Sequence, residues 1–476
     1  MASSALQVSS ANLDACVVRG NPSPPGSIGE CNRLLQKNHD YYHMFFREMA
    51  GMNHISHSLL TCLALGAGPA ELQDRYDDEA AGQRPMPPID AELLEKLSDR
   101  DVFLQTMHTK AQYNTFLRFF EQKIAAQEGG WKAVVHEYIF SRTEVAERML
   151  SSLFDGLYHP LIHLGLGIEF ELPGLVAEAL AQAAANDDSD LHRLFQMCEA
   201  ESRGYTQEET STKGNAQNGP LGSPPSMLQL LNEMRNDINI RTAPRWSDLG
   251  LKMRNGVVGR AGQAFARVAG RFRLAAGSRG DTDRGEEELE RRTAEMISTC
   301  AFMCGAAQSE GRKTKIDFFW MHAVTSSIFM TVLAGQGSWI SLGDRARLLE
   351  HKVYTDLAWY VASGSVPLNA AYINKYAEAD LETLSWGWED VFGAVVKEHD
   401  DGHAAKFIRA LKNGELVTAK YQDKDDKGLP YFPLKGDMWL KMARMGHVTT
   451  KSMPIDLKWV RFTGYDEAWE RPDLTD

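Results

Sequence analysis

The chain has 476 residues, with 64 acidic and 51 basic side chains, a formal net charge of −13 and a pI near 5.6. That balance excludes a nucleic-acid protein of the usual kind, since phosphate binding needs a concentrated positive field. Hydrophobic residues at 43% and charged residues at 24% fit a globular protein, long enough for a large core, and exclude a disordered or fibrous one.

Residues 1–30 read as an N-terminal extension. They lack a basic stretch followed by an apolar one, and Asp14 with few arginines argues against a transit peptide. Residues 31–66 place Leu34, Leu35, Tyr41, Tyr42, Phe45, Phe46 and Met49 at helical intervals, and Gly66 closes the run. Residues 101–126, 130–157, 173–200, 285–310, 316–334, 343–361, 388–398 and 402–413 repeat that period. Only Leu416–Tyr421 and Lys458–Phe462 look β-like. The predicted fold class is therefore all-α, a single large irregular helical bundle over 31–476.

Two flexible insertions are expected, around 202–226 and 252–285. The first is polar and rich in Gly, Ser and Pro. The second carries Lys252, Arg254, Arg260, Arg267, Arg271, Arg273 and Arg279. It reads as an exposed, solvated charge run in preference to a membrane-binding or acid-binding helix, because its apolar face is thin. Ile316–Ala334 is nearly long enough to span a bilayer, but Asp317, His322 and three hydroxyl residues make it a buried helix, with no stable membrane insertion. Six cysteines form no disulfide framework, so reduced core thiols and a cytoplasmic location are expected.

No Rossmann G-x-G-x-x-G follows a strand; Gly165-Leu-Gly167 lacks the third glycine. There is no P-loop, G-x-S-x-G elbow, H-E-x-x-H or paired C-x-x-C. What remains is histidine. His54 and His57 lie three apart before Gly66, and His159 and His163 lie four apart, the spacing of two imidazoles sharing a metal. Gly165 and Gly167 would let backbone or a flat ligand come close. His322, Thr325, Ser326 and Phe329 share a helix face, and His403 begins a helix after Asp400-Asp401-Gly402. A single buried histidine is usually a hydrogen-bonded core residue. Four groups on apolar helices, without another cofactor signature, point to a shared Fe, Zn, Cu or Ni.

Several blocks resemble the questin-oxidase-like family. They are Asn38-His-Asp-Tyr-Tyr-His-Met-Phe-Phe, Asn53-His-Ile-Ser-His57, His159-Pro-Leu-Ile-His163-Leu-Gly-Leu-Gly-Ile-Glu-Phe, His322-Ala-Val-Thr-Ser-Ser, Arg347-Leu-Leu-Glu-His-Lys352, Asp401-Gly-His403-Ala-Ala-Lys-Phe-Ile-Arg-Ala-Leu and Gly464-Tyr-Asp-Glu-Ala-Trp469. They run in order over nearly the whole chain. The resemblance implies a fungal oxygenase of aromatic polyketide pathways that opens a hydroxylated anthraquinone by a Baeyer–Villiger-type oxidation. It implies O2 as co-substrate, with NADPH in some members. For one branch it implies a non-haem Fe(II) held by four histidines and a carboxylated lysine.

Carried onto this chain, the ligands would be His57, His159, His163, His322 and Lys352. Lys375 is the second choice of lysine, and His351 stands where relatives have Trp, so it is a possible replacement ligand. His403 is expected to move a proton to or from a substrate phenol. Trp320, Phe329, Trp359 and Trp386 are candidate ring-stacking walls. Two alternatives are a metal-free NADPH-dependent oxidase and a non-catalytic helical ligand carrier.

Overall fold

The computed structural model describes residues 6–47, 51–212, 224–275, 282–424 and 431–474. The chain forms two compact units: residues 1–188, 382–413 and 446–458 in the first, and 189–381, 414–445 and 459–476 in the second. The described residues are α-helical with short 3-10 and π turns, and contain isolated bridges but no strand. The all-α expectation holds.

In the first unit, Pro173–Ala185 is the central helix, packed on both Tyr113–Ala126 and His159–Glu169. Every residue from Gly174 to Ala185 is buried, which its alanine-rich sequence allows without crowding. Gly167 permits the close crossing: a Cβ there would stand 3.0 Å from the Val176 amide nitrogen. That glycine therefore serves helix packing. Ile55–Leu65 lies on Ser27–Tyr41, Pro69–Ala80 and His159–Glu169, and is buried along its whole length.

The run expected over 31–66 is two helices. Ser27–Tyr41 stops where Tyr42 turns extended and bridges Pro85, and a second bridge joins Phe45 to Met52 before Ile55. Residues 6–30 pack into this unit. Val8 and Asn32 exchange two hydrogen bonds, and the Val17 amide donates to Glu169 at 2.9 Å. Arg409 holds Glu169 in a buried bidentate pair at 2.6 and 3.0 Å.

In the second unit, Thr282–Ala306 packs on Phe318–Ala334 and Leu342–Ala362. No helix among the described residues is long and apolar enough to cross a membrane. Asp317 caps Phe318–Ala334 and accepts from the Thr463 amide and hydroxyl, and Val460 forms a parallel bridge with Asp317. The β-like reading at 458–462 thus amounts to one bridge. That at 416–421 is overturned: Ala404–Thr418 continues as helix into a 3-10 turn. Residues 202–212 extend the helix Leu191–Thr212, and 213–223 lie outside the described residues. Within 252–285, Lys252–Arg260 is π-helical and Ala261–Ala269 is α-helical with Phe265 buried; 276–281 lie outside. All six cysteines are free and buried.

Candidate metal centre

His54, His159 and His403 converge in the first unit. All are buried, and one ring nitrogen of each lies within 4.8 Å of the others. His54 is the N-cap residue of Ile55–Leu65, and His403 immediately precedes Ala404–Thr418. Gly402 makes the approach possible. Its φ is +80°, and a Cβ would lie 3.2 Å from His54 Cβ and 3.3 Å from Glu79 Oε1. His159 opens its helix after three consecutive residues at positive φ, Gly156 (+58°), Leu157 (+59°) and Tyr158 (+64°). Two of these carry side chains, so the backbone is strained where it aims His159.

The imidazoles are oriented from outside. His159 Nδ1 lies 2.5 Å from the Gly156 carbonyl oxygen, and His403 Nδ1 lies 2.7 Å from Asp401 Oδ1. Glu79 Oε2 accepts from the His54 amide at 3.1 Å and stands 4.0 Å from His54 Nδ1. The Gly156 and Asp401 acceptors fix the tautomer and ring angle of their imidazoles, as acceptors behind metal-binding histidines do. His54 Nε2 and His159 Nε2 then face each other at 2.5 Å. Burial, and then the positive charge of Lys406, hold both histidines well below their usual pKa. Both rings are therefore neutral, and with the His159 proton on Nδ1 toward the Gly156 carbonyl its Nε2 presents a lone pair, the kind of donor a divalent transition metal takes. The residues fit such an ion.

His57 and His163 adjoin the cluster but face each other, Nε2 to Nδ1 at 2.9 Å. The His57 ring centroid is 5.9 Å from that of His54 and 6.0 Å from that of His159, and His57 Nδ1 has no hydrogen-bond partner among the described residues. His163 has both nitrogens engaged, because Nε2 contacts Glu178 at 2.6 Å. The row continues to His39 Nδ1 at 2.5 Å from Glu178, then His39 Nε2 at 3.1 Å from Glu121, whose other oxygen is 2.5 Å from the half-exposed Arg118. Burial pushes Glu178 up, but hydrogen bonds from His163 and His39 outweigh it and hold the carboxyl at about 2. Burial pulls His39 down, but Glu121 and Glu178 hold it up at about 10.

His322 and Lys352 belong to the second unit. His322 Nδ1 lies 2.7 Å from the Phe318 carbonyl oxygen, with its ring edge-on to Phe318. Lys352 donates to both oxygens of Asp356 at 2.5 and 2.6 Å and to the Ala323 carbonyl at 3.1 Å. His351 stacks on Phe195 at 4.1 Å and contacts Glu199 at 2.8 Å, and Lys375 is exposed. Of the aromatic candidates, Trp359 stacks on Phe319, Trp386 stacks on His447, and Trp320 and Phe329 are buried.

Sequence reasoning passed over Lys406. It is buried, its Nζ has no hydrogen-bond partner among the described residues, and burial pulls it down to about 8 against the raising charges of Glu79, Asp401 and Asp400. The signal was present in the spacing of His403 and Lys406, a helix-start residue and one three positions on in the first turn.

A family model described as questin oxidase-like matches residues 52–411. The chain is 54% identical over 474 residues, the full length of both sequences, to a Baeyer-Villiger monooxygenase of Cryptosporiopsis sp.. A Baeyer-Villiger oxidase of Paecilomyces divaricatus is 53% identical, with 94% of this chain and 92% of the relative covered. A questin oxidase of Aspergillus fumigatus is 42% identical, with 94% of each covered.

Proposed function

This chain belongs to the questin oxidase-like family, and on that premise we propose that it opens the ring of a hydroxylated anthraquinone with O2 at a non-haem iron held by His54, His159 and His403. It is an oxidoreductase. The observation carrying the metal reading is the convergence of one ring nitrogen from each of three buried histidines within 4.8 Å, with His159 and His403 each held at their other nitrogen. Bound there, Fe(II) would supply the Lewis acidity and electron transfer that O2 needs to react with a closed-shell aromatic. The rest is protein chemistry. Asp401 keeps the His403 proton on Nδ1, and the Gly156 carbonyl does the same for His159. The buried cluster excludes bulk water, which sharpens every electrostatic contact inside it. His57, His163, Glu178, His39 and Glu121 give a proton a hydrogen-bonded row between His57 Nδ1 and the surface beside Arg118.

Neutral imidazoles leave a dication uncompensated in a dry site, so an anionic donor is needed. Glu169 is committed to Arg409. For the carbamate that the family resemblance implies, we assign Lys406 in place of Lys352. An amine near pKa 8 is partly neutral at working pH; its Nζ attacks CO2, a C–N bond forms and a proton leaves. Carboxylating Lys352 instead would set a second anion against buried Asp356.

The test is iron content after aerobic purification and Fe(II) loading. His54→Ala, His159→Ala and His403→Ala should each lose the iron and ring cleavage together. Wild-type protein that turns over with NADPH and holds no iron would establish the metal-free reading. Loss of iron in His322→Ala or Lys352→Ala, with none in His54→Ala, would move the ligands to the other set. Labelled bicarbonate should give a carbamate NMR signal that disappears in Lys406→Met and survives in Lys352→Met.

A further inference from the structure

The second unit carries a surface whose character is opposite to the rest of the chain. Ile238, Trp246, Leu249 and Leu251 are 54%, 37%, 72% and 55% exposed, and the last three share one six-residue 3-10 segment, Trp246–Leu251. Single exposed apolar side chains are ordinary; four within fourteen residues are not. Leu249 also sits at φ +53°, ψ −129°, a conformation that leucine rarely adopts, and its side chain gains no burial from it.

The segment is held rigidly from beneath. Buried Lys252 donates to the carbonyl oxygens of Trp246 and Leu249 at 2.9 and 3.0 Å. Its Nζ lies 4.8, 4.3 and 5.3 Å from the ring centroids of Trp246, Phe462 and Tyr465. Along the chain at this apolar tip the charge inverts, with Asp237 just before it and Glu467 facing Lys252 from the packed segment. Residues 238–260 hold five basic side chains (Arg241, Arg245, Lys252, Arg254, Arg260) against one acidic, Asp248, a net of +4 in a chain of −13. Arg241, Arg245 and Arg254 are exposed, whereas Asp248 is ion-paired to Arg260.

We propose that this tip docks the protein peripherally on an anionic phospholipid surface. Leu249 and Leu251 would enter the acyl boundary, Trp246 would lie at the headgroup level, and the three exposed arginines would meet lipid phosphates. A second copy of the chain would set the same cationic face against itself, which charge repulsion opposes. A lipid surface is also where a flat aromatic substrate would concentrate, although the proposal does not depend on the substrate.

The experiment is flotation of the full chain with vesicles of phosphatidylcholine alone or with about 30 mol% phosphatidylserine, at low and physiological salt. The wild type should float with the anionic vesicles and be released by salt. Leu249→Ser with Leu251→Ser should lower binding about tenfold or more. Arg241→Gln, Arg245→Gln and Arg254→Gln together should remove the preference for phosphatidylserine. Wild-type melting temperatures would show that these surface variants are folded. Wild-type protein that ignores both vesicles, or leucine variants that float like wild type, would overturn the proposal. So would self-association in sedimentation that the leucine pair abolishes without any vesicle binding.

Discussion

His403 shows how much of the candidate centre rests on single atoms. Its Nδ1 is held by Asp401 at 2.7 Å, a contact that decides which nitrogen is left to bind. Asp401→Asn should therefore weaken iron binding about 10–100-fold while leaving the fold intact. Chelator competition measures it, and an unchanged affinity would take His403 out of the centre. His39 tests the hydrogen-bonded row in another way. It is buried between Glu121 and Glu178, so His39→Ala takes one partner from each of two carboxylates, at a cost of about 1–3 kcal/mol in urea denaturation. Its raised pKa sets the pH window. The stabilisation is complete below the unfolded value of about 6.5 and is lost as pH rises through about 10. A wild-type alkaline limb that His39→Ala reproduces unchanged would contradict this. At this scale the sequence was partly legible. The spacing of His159 and His163 placed both on one helix, but spacing does not reveal that Glu178 takes one of them.

Among the elements, the helical period of the apolar residues placed the long buried helices, because buried faces recur every 3.6 residues whatever the tertiary partners, but it passed over Pro69–Ala80, Met227–Asn236, Ala371–Ala379 and Met438–Thr450. It did not place the breaks. Tyr42 leaves the first helix because Pro85 and Arg84 offer backbone partners forty residues away, a contact no local pattern encodes. The same limit hid the role of His54, which sits at a helix cap and meets the Gly402 segment so closely that a Cβ at 402 would lie 3.2 Å from His54 Cβ. Gly402→Ala should cost about 1–2 kcal/mol from its φ of +80° alone. By displacing His54 it should also lower iron occupancy. Melting temperature and iron analysis separate the two effects, and a variant with both unchanged would show that the loop relaxes freely. Gly167→Val addresses the crossing beneath the centre. Overpacking against Val176 should cost about 1–3 kcal/mol, read from the urea midpoint, while exposed Gly204→Val provides the control.

At the scale of the whole molecule, each unit contains a carboxylate that histidine keeps ionised, one buried (Glu178) and one partly exposed (Glu199). Glu178 lies between His163 and His39 in the first unit, and Glu199 between His351 and Arg347 in the second. Burial raises both, but those partners outweigh it and bring each to about 2. The sign follows from linkage. A carboxyl depressed in the folded state contributes stability above its unfolded pKa, about 4.3 for Glu, and loses it as pH falls through the folded value. Both units should therefore weaken between about pH 4.3 and 2, well below the pH at which surface histidines charge. Glu178→Gln and Glu199→Gln should each lower stability at neutral pH and flatten the acid limb of the urea midpoint. Because Glu178 is held by His163 and His39, and Glu199 by His351 and Arg347, the double variant should show the sum of the two losses. An acid limb as steep in the double variant as in the wild type would mean that other carboxylates govern acid unfolding.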